Sequence, residues 1–244
     1  MKSSLKNMVL VLFTIGGVSA LLVGLVHNIT KDAIAQAEEQ KKNKAKFEVL
    51  STTESEAVIL EDATRKIGDF EVKVSTVASR ATNEIIGYAV EAPSITANGY
   101  SDRIYLMVGF VETDGEVRIN SVEVLSQKET PGLGANMTKP GNKLEKSVLG
   151  KNPATMTFKV KKDDPRGSFD ALSGSTISSR AYANAMETAY AGYLWAKGVI
   201  VAKDNDATAE ELIEESVVVE EESMGEEMEN NMESATRKGE VGHE

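Results

Sequence analysis

The chain has 244 residues, a formal net charge of −11, no cysteine and two histidines, His27 and His243. Without cysteine it has no disulfide, no thiolate-ligated iron–sulfur cluster and no cysteine nucleophile, and two distant histidines disfavour a multi-histidine metal site or a Ser-His-Asp hydrolase. Residues 203–244 hold 15 acidic and 3 basic residues, whereas the rest of the chain holds 23 acidic and 24 basic residues and is nearly neutral. Neither part resembles a basic nucleic-acid-binding surface.

The first predicted element is a membrane anchor over residues 1–28. Residues 8–26 carry no charge, and a spanning helix needs about 20 apolar residues. Lys2 and Lys6 precede the segment and predict a cytoplasmic N-terminus, because the lysines on its far side lie mostly beyond the first turns after the membrane. The alternative is a cleaved signal peptide, whose small-residue site would be Ala33-Ile34-Ala35; the long apolar core favours a retained anchor.

A linker helix is predicted over residues 29–50, which are rich in Ala, Glu, Gln and Lys and contain no Gly or Pro. Residues 51–202 are predicted to form the folded domain. Its strands are expected at Glu84–Val90, Arg103–Val111, Glu116–Leu125 and Ala154–Val160, with a hairpin turn at Asp114-Gly115, and its last helix at Thr176–Lys197.

The final segment, residues 203–244, is predicted to be an acidic disordered tail. It contains no aromatic residue and one short apolar patch at 217–219, which is too little apolar surface to offset the entropy of ordering. A role as an acidic docking tail is the less favoured alternative.

The run from Asp170 to Arg180 (DALSGSTISSR) places a threonine after a small, flexible Ser-Gly-Ser turn, at the start of the predicted helix. It resembles the flavin-attachment motif of the FMN-binding subunits of Rnf and Na⁺-pumping NADH:quinone oxidoreductase complexes. In that family the FMN phosphate is esterified to the threonine that corresponds to Thr176. Taken by itself, the run is also an ordinary polar loop with helix-capping serines.

A second segment, Lys128-Glu129-Thr130-Pro131-Gly132-Leu133-Gly134, resembles the E-T-P-G-L-G loop of the same family and lies at the expected distance before the attachment motif. Its residues alone would predict only a Pro-Gly turn and a flexible glycine. Asn98-Gly99-Tyr100-Ser101 bears a weaker resemblance to another segment of the family. Three elements in the family's order behind one anchor favour the flavin interpretation.

The resemblance covers about residues 5–200 and implies an α+β fold: one transmembrane helix, then an FMN-binding domain with an antiparallel-rich sheet and flanking helices. It implies FMN joined to Thr176 by a phosphoester and a transferase that recognises Asp170. The residues expected to bind the cofactor are Thr176 with Ser173, Gly174, Ser175 and Ser178 from the attachment motif, and Glu129, Thr130, Gly132, Leu133 and Gly134 from the earlier loop. No metal site is predicted.

Ser175 is a departure from the family, which usually has alanine before the modified threonine. Serine adds one hydroxyl, so the loop should still enter a transferase, but Ser175 becomes a competing acceptor. Thr176 remains the expected attachment site.

Arg180 and Ala181, which follow the motif, resemble the G subunit of an Rnf-type complex more than the C subunit of the quinone reductase. In Rnf-type complexes, electrons pass between ferredoxin and NAD and drive ion transport. The chain would then be an electron carrier within an oxidoreductase and translocase, without catalysis of its own. It would associate with the other membrane subunits and lie in the cytoplasmic membrane with its FMN domain outside. The alternatives are the C subunit of the Na⁺-translocating NADH:quinone oxidoreductase and a cofactor-free membrane-anchored adaptor.

Other candidate sites are weaker. The acid pairs Glu61-Asp62 and Asp163-Asp164 could act as general acid and base, although adjacent acids are usually solvated. Trp195 and the tyrosines of the last helix are expected in the core or at an interface.

Overall fold

The computed structural model describes residues 5–67, 70–94, 104–199 and 213. It confirms the α+β class: one long N-terminal helix, an antiparallel five-stranded sheet and further helices. The predicted Asn98–Ser101 segment, Arg103 and, apart from Ile213, the predicted tail lie outside the described residues.

The N-terminal helix α1 spans Leu5–Glu48, so the predicted anchor and linker helix form one element. The chain divides into two compact units, residues 1–43 and 44–244. In the first unit, α1 is long and apolar enough to cross a membrane by length and composition, and its apolar side chains are exposed. Thr14 and Thr30 donate their hydroxyls to the carbonyls of Leu10 and Val26, so neither hydroxyl needs water.

The second unit is built on a meander of strands in the order β1-β2-β3-β4-β5, with every neighbouring pair antiparallel. The strands are β1 Ala57–Ile67, β2 Phe70–Ser79, β3 Ile85–Ser94, β4 Ile104–Thr113 and β5 Glu116–Ser126. The last three match predicted strands within four residues at each end. β1 and β2 were not predicted individually, although β2 alternates apolar and polar residues from Phe70 to Val74. β1 has four charged residues among its 11, which weakens its strand pattern.

The turn between β4 and β5 is the predicted hairpin. Asp114 and Gly115 have φ of 55° and 80°, and two consecutive positive values are the signature of the two-residue turn whose twist matches that of paired strands. The turn fixes the β4–β5 register, which pairs Thr113 with Glu116.

Each face of the sheet carries a hydrophobic core. The larger one lies under the last helix, Thr176–Ala196, which is one residue shorter than predicted. Gly192 lets this helix approach closely, because a Cβ there would lie 2.7 Å from Val72 Cγ1 and 3.1 Å from Val90 Cγ1. The smaller core lies on the other face, where residues 45–50 pack with Ala89 and Met107.

The predicted strand Ala154–Val160 is wrong. Pro153–Thr155 is a short 3-10 helix, and Val160 makes only an isolated parallel bridge to Phe169. The apolar residues are nevertheless used, since Val160 is buried and Phe158 packs against the main core. A short helix that was not predicted, α2, spans Lys143–Val148, and the last helix is therefore α3.

Candidate functional site

Helix α3 follows a turn that is held by hydrogen bonds of Ser179. Gly174 has a φ of 72°, a left-handed conformation that glycine adopts without steric cost, and Ser175 is the residue preceding the helix. Buried Ser179 receives a hydrogen bond from Leu172 N at 3.0 Å and donates to Ser175 O at 2.8 Å. These bonds set Thr176 at the first helical position, half-buried at the protein surface.

The loop that follows β5 is closed by hydrogen bonds between its own residues. Leu133 N and Ala135 N donate to Thr130 O at 3.1 and 3.3 Å, and Asn136 Nδ2 donates to Gly132 O at 2.7 Å. Gly132 has a φ of 79°, which suits glycine, and a 3-10 helix begins at Gly134. The loop is therefore a compact turn that exposes the side chain of Leu133.

The two predicted motifs, 46 residues apart from Thr130 to Thr176, meet at one contact. Ser178 Oγ, on the first turn of α3, donates to Glu129 Oε2 at 2.6 Å. Gly134 lies against both groups, because a Cβ on it would be 2.8 Å from Glu129 Cβ and Oε2 and closer still to Ser178 Oγ. Only glycine permits this approach of loop and helix.

A cleft of about 470 Å³ opens between the loop and the start of α3. Eight of the predicted cofactor-binding residues line it: Glu129, Thr130, Leu133, Gly134, Gly174, Ser175, Thr176 and Ser178. Ile177, Lys128 and Lys162 complete the lining. The volume is within the roughly 300–1,000 Å³ typical of small-molecule sites.

Three other predicted residues lie elsewhere. Ser173 and Gly132 are exposed and do not line the cleft. Asp170 is also exposed; it accepts two hydrogen bonds from Lys161 Nζ at 3.0 and 3.1 Å, and its backbone N–H donates to Ser147 Oγ. The residue expected to be recognised by a transferase is therefore on the surface, near the attachment motif in sequence but outside the cleft.

Lys162 is a site residue that the sequence reasoning missed. Its Nζ donates to Thr176 Oγ1 at 3.4 Å. The parallel bridge between Val160 and Phe169 brings the segment of Lys162 beside the attachment motif. The adjacent basic pair at 161–162 was the only signal in the sequence, and a bridge between irregular segments has no periodicity that would reveal it.

The acid pair beside the cleft is structural. Asp163 accepts two hydrogen bonds from Arg180, at 2.7 and 2.6 Å, and this pairing lowers its pKa. Arg166 likewise lowers the pKa of Asp164, to which its Nη2 lies at 3.1 Å. Carboxylates held in their charged form by arginines are poor proton donors, which disfavours a general-acid role for this pair.

The two acidic residues of the pair on β1 have different environments. Glu61 is exposed, while Asp62 accepts Lys46 Nζ at 2.7 Å and Ser75 Oγ at 2.8 Å. Burial acts to raise the pKa of Asp62, but these hydrogen bonds outweigh it and lower the pKa.

The aromatic residues of α3 lie where expected. Tyr182, Tyr190 and Tyr193 are buried in the main core, and Trp195 packs against it with the Arg65 guanidinium 5.2 Å from its ring centre. None of them lines the cleft. Over the residues that the structure describes, no group of three His, Asp or Glu side chains could hold a metal ion.

The lining suits a phosphorylated, planar, partly apolar ligand. It combines the cations Lys128 and Lys162, the hydroxyl of Thr176 and the exposed apolar side chain of Leu133. FMN has these chemical features, and the residues present therefore fit it.

Comparison with known proteins agrees with this chemistry. A model of the FMN-binding domain family matches residues 99–191, a range that includes both the loop and the attachment motif. The second unit thus carries an FMN-binding domain.

The relatives extend the match to most of the chain. The G subunit of the ion-translocating oxidoreductase complex of Aliivibrio fischeri ES114 is 31% identical over 75% of this chain and 87% of its own length. The corresponding protein of Pseudomonas aeruginosa UCBPP-PA14 is 30% identical over 77% and 87%. The G subunit of the Na⁺-translocating ferredoxin:NAD⁺ oxidoreductase complex of Acetobacterium woodii is 28% identical over 70% and 83%.

The chain belongs to the family of G subunits of the ion-translocating oxidoreductase complexes. This confirms the resemblance to the Rnf G subunit. Among solved structures, NqrC of Shewanella oneidensis is 26% identical over 46% of this chain and 54% of its own, with a TM-score of 0.34.

Proposed function

We propose that this protein is a membrane-anchored electron carrier whose FMN is covalently attached through a phosphoester to Thr176. The observation that carries the proposal is the meeting of two distant motifs in one cleft, where Thr176 presents its hydroxyl beside a lysine. Family membership and the FMN-binding domain support an electron-transport flavoprotein, and α1 supports a membrane anchor.

Loading would be a phosphoryl transfer from FAD, catalysed by a flavin transferase. The Oγ1 of Thr176 bonds to the phosphorus on the FMN side of the pyrophosphate, the P–O–P bond breaks, and AMP leaves. The hydroxyl proton passes to a base of the transferase. Thr176 is half-buried at the surface and closely follows the exposed Ser173 and Gly174, so the acceptor is within reach of a second protein.

Once loaded, the protein's own residues would orient the cofactor. Leu133 offers an apolar side chain to the cleft, while Ser178 holds the Glu129 carboxylate in a fixed position. Thr176 is the first residue of α3, and the positive end of the helix dipole favours negative charge there. The bound FMN supplies the redox chemistry, and the cleft determines its position and polarity.

The chain would work as one subunit of a redox-driven ion translocase and would have no catalysis of its own. The Acetobacterium woodii relative's name supports ferredoxin and NAD as the complex's electron partners. The other membrane subunits of an Rnf-type complex are the proposed partners. The FMN domain would lie on the extracytoplasmic side, because Lys2 and Lys6 precede the apolar segment.

Co-expression with a flavin transferase, followed by denaturing electrophoresis, tests the proposal. The wild-type band should fluoresce as flavin, Ser175→Ala should fluoresce equally, and Thr176→Ala should be dark. A dark wild-type band, when a known substrate of the same transferase is labelled, would overturn the proposal in favour of a cofactor-free adaptor.

A further inference from the structure

We infer that Lys162 is the residue of this chain that pairs with the negative charge of the phosphodiester on Thr176. The inference rests on the proposed function and adds a phosphate-binding side chain that lies outside both sequence motifs. The inference is based on the contact between Lys162 Nζ and Thr176 Oγ1, the atom that would become the ester oxygen.

The contact between Lys162 Nζ and Thr176 Oγ1 is long for a hydrogen bond. At 3.4 Å, the hydrogen bond to a neutral hydroxyl is longer than the usual distance of about 2.9 Å for N–H donors. Attachment of FMN would bond Oγ1 to phosphorus and place the two free phosphoryl oxygens two bonds beyond Oγ1, where the flexible lysine side chain could form an ion pair with them. A weak contact in the unloaded protein would become a charge-assisted one.

Three neighbouring basic side chains form ion pairs with carboxylates. Lys161 pairs with Asp170, Arg166 with Asp164 and Arg180 with Asp163. Lys162 contributes through its charge to the lowered pKa of Asp163, but its hydrogen bond goes to the hydroxyl of Thr176.

The charge balance of the cleft favours an anion at this end. Its lining has two cations, Lys128 and Lys162, and one carboxylate, Glu129, whose Oε2 is bonded to Ser178. A phosphodiester brings a single negative charge. Lys162 is the lining cation that reaches the attachment atom, and the segment that carries it is held by the bridge between Val160 and Phe169.

The test compares Lys162→Met, Lys162→Arg and a control, Lys143→Met, in the full-length protein. Lys143 is an exposed lysine at the start of α2 and does not line the cleft. The first measurement is the initial rate of flavin incorporation. We expect about a fivefold lower rate for Lys162→Met, as a charge-assisted hydrogen bond to phosphate is lost, and less than about a twofold change for the other two variants.

The second measurement is the shift in the urea denaturation midpoint on flavin attachment, which does not depend on electron transfer. Attachment should raise the midpoint less in Lys162→Met than in wild type or Lys143→Met. In about 1 M NaCl, where charges are screened within about 3 Å, the wild-type increase should fall towards that of Lys162→Met. Circular dichroism of each unloaded variant establishes that it is folded.

The outcomes separate the two proposals. If wild type takes up no flavin, the proposed function fails, and this inference fails with it. If wild type is loaded and Lys162→Met matches Lys143→Met in both rate and midpoint shift, the pairing of Lys162 with the phosphodiester is refuted while the proposed function stands.

Discussion

Replacing Gly134 by alanine should separate the loop from α3. The new Cβ would lie 2.8 Å from two atoms of Glu129 and closer still to Ser178 Oγ, so the loop or the helix must move. Overpacking of this kind typically costs about 1–3 kcal/mol of unfolding free energy. Because the displaced groups line the cleft, flavin incorporation should fall as well.

A double-mutant cycle identifies the cause. Ser178→Ala alone should cost about 1 kcal/mol, since its bond to the carboxylate is charge-assisted but Glu129 is partly exposed. In the Gly134→Ala background, the same change removes the nearest clashing atom. The double variant should therefore be more stable than the sum of the single losses predicts, by about 1 kcal/mol.

Urea denaturation of the unloaded full-length protein in detergent, followed by circular dichroism, gives each free energy. Additivity within about 0.5 kcal/mol would show that Gly134 and Ser178 do not interact. A Gly134→Ala protein with unchanged stability and unchanged flavin incorporation would refute the close approach of the two motifs.

The remaining predictions concern the contacts that hold helices to the sheet. Gly192→Ala should lower the unfolding free energy by about 1–3 kcal/mol, because its Cβ would lie 2.7 Å from a valine methyl of β2; a neutral result in urea denaturation would contradict the packing. Tyr193→Phe should cost about 1–2 kcal/mol of unfolding free energy through loss of the 2.8 Å hydrogen bond to Glu112, and an unchanged value in urea denaturation would contradict this bond. Because the folded pKa of Asp62 is lowered, its stabilising effect is complete above about pH 4 to 5 and is lost as the pH falls through the folded pKa. Asp62→Asn should therefore flatten the dependence of the denaturation midpoint on pH between about 5 and 2, and a slope equal to that of wild type would refute the pairing with Lys46.

The elements with a clear period were predictable from the sequence. The apolar segment of α1, the hairpin at Asp114-Gly115 and the alanine-rich α3 follow from local patterns, and the structure has all three. The segment 154–160 misled the prediction, because an alternation of apolar residues does not show whether a partner strand is available. Here residues 157, 159 and 161 form backbone hydrogen bonds with residues 168 and 169, which themselves belong to an irregular loop.

The cleft was predictable only in part. Its two motifs resemble a family, and eight of the ten predicted binding residues line it. The contact of Ser178 with Glu129 and the approach of Lys162 to Thr176 depend on tertiary packing between segments that have no sequence signal in common. Such contacts become visible only once the chain is folded.

The measurement that tests the central claim most directly is mass spectrometry of the tryptic peptide 167–180 from protein co-expressed with a flavin transferase. Cleavage after Arg166 and Arg180 yields one peptide containing Thr176 and all five serines of the region. We predict a peptide heavier by the mass of one FMN less one water, with fragment ions that place the addition on Thr176. An unmodified peptide, or fragment ions that place the flavin on Ser175, would contradict it.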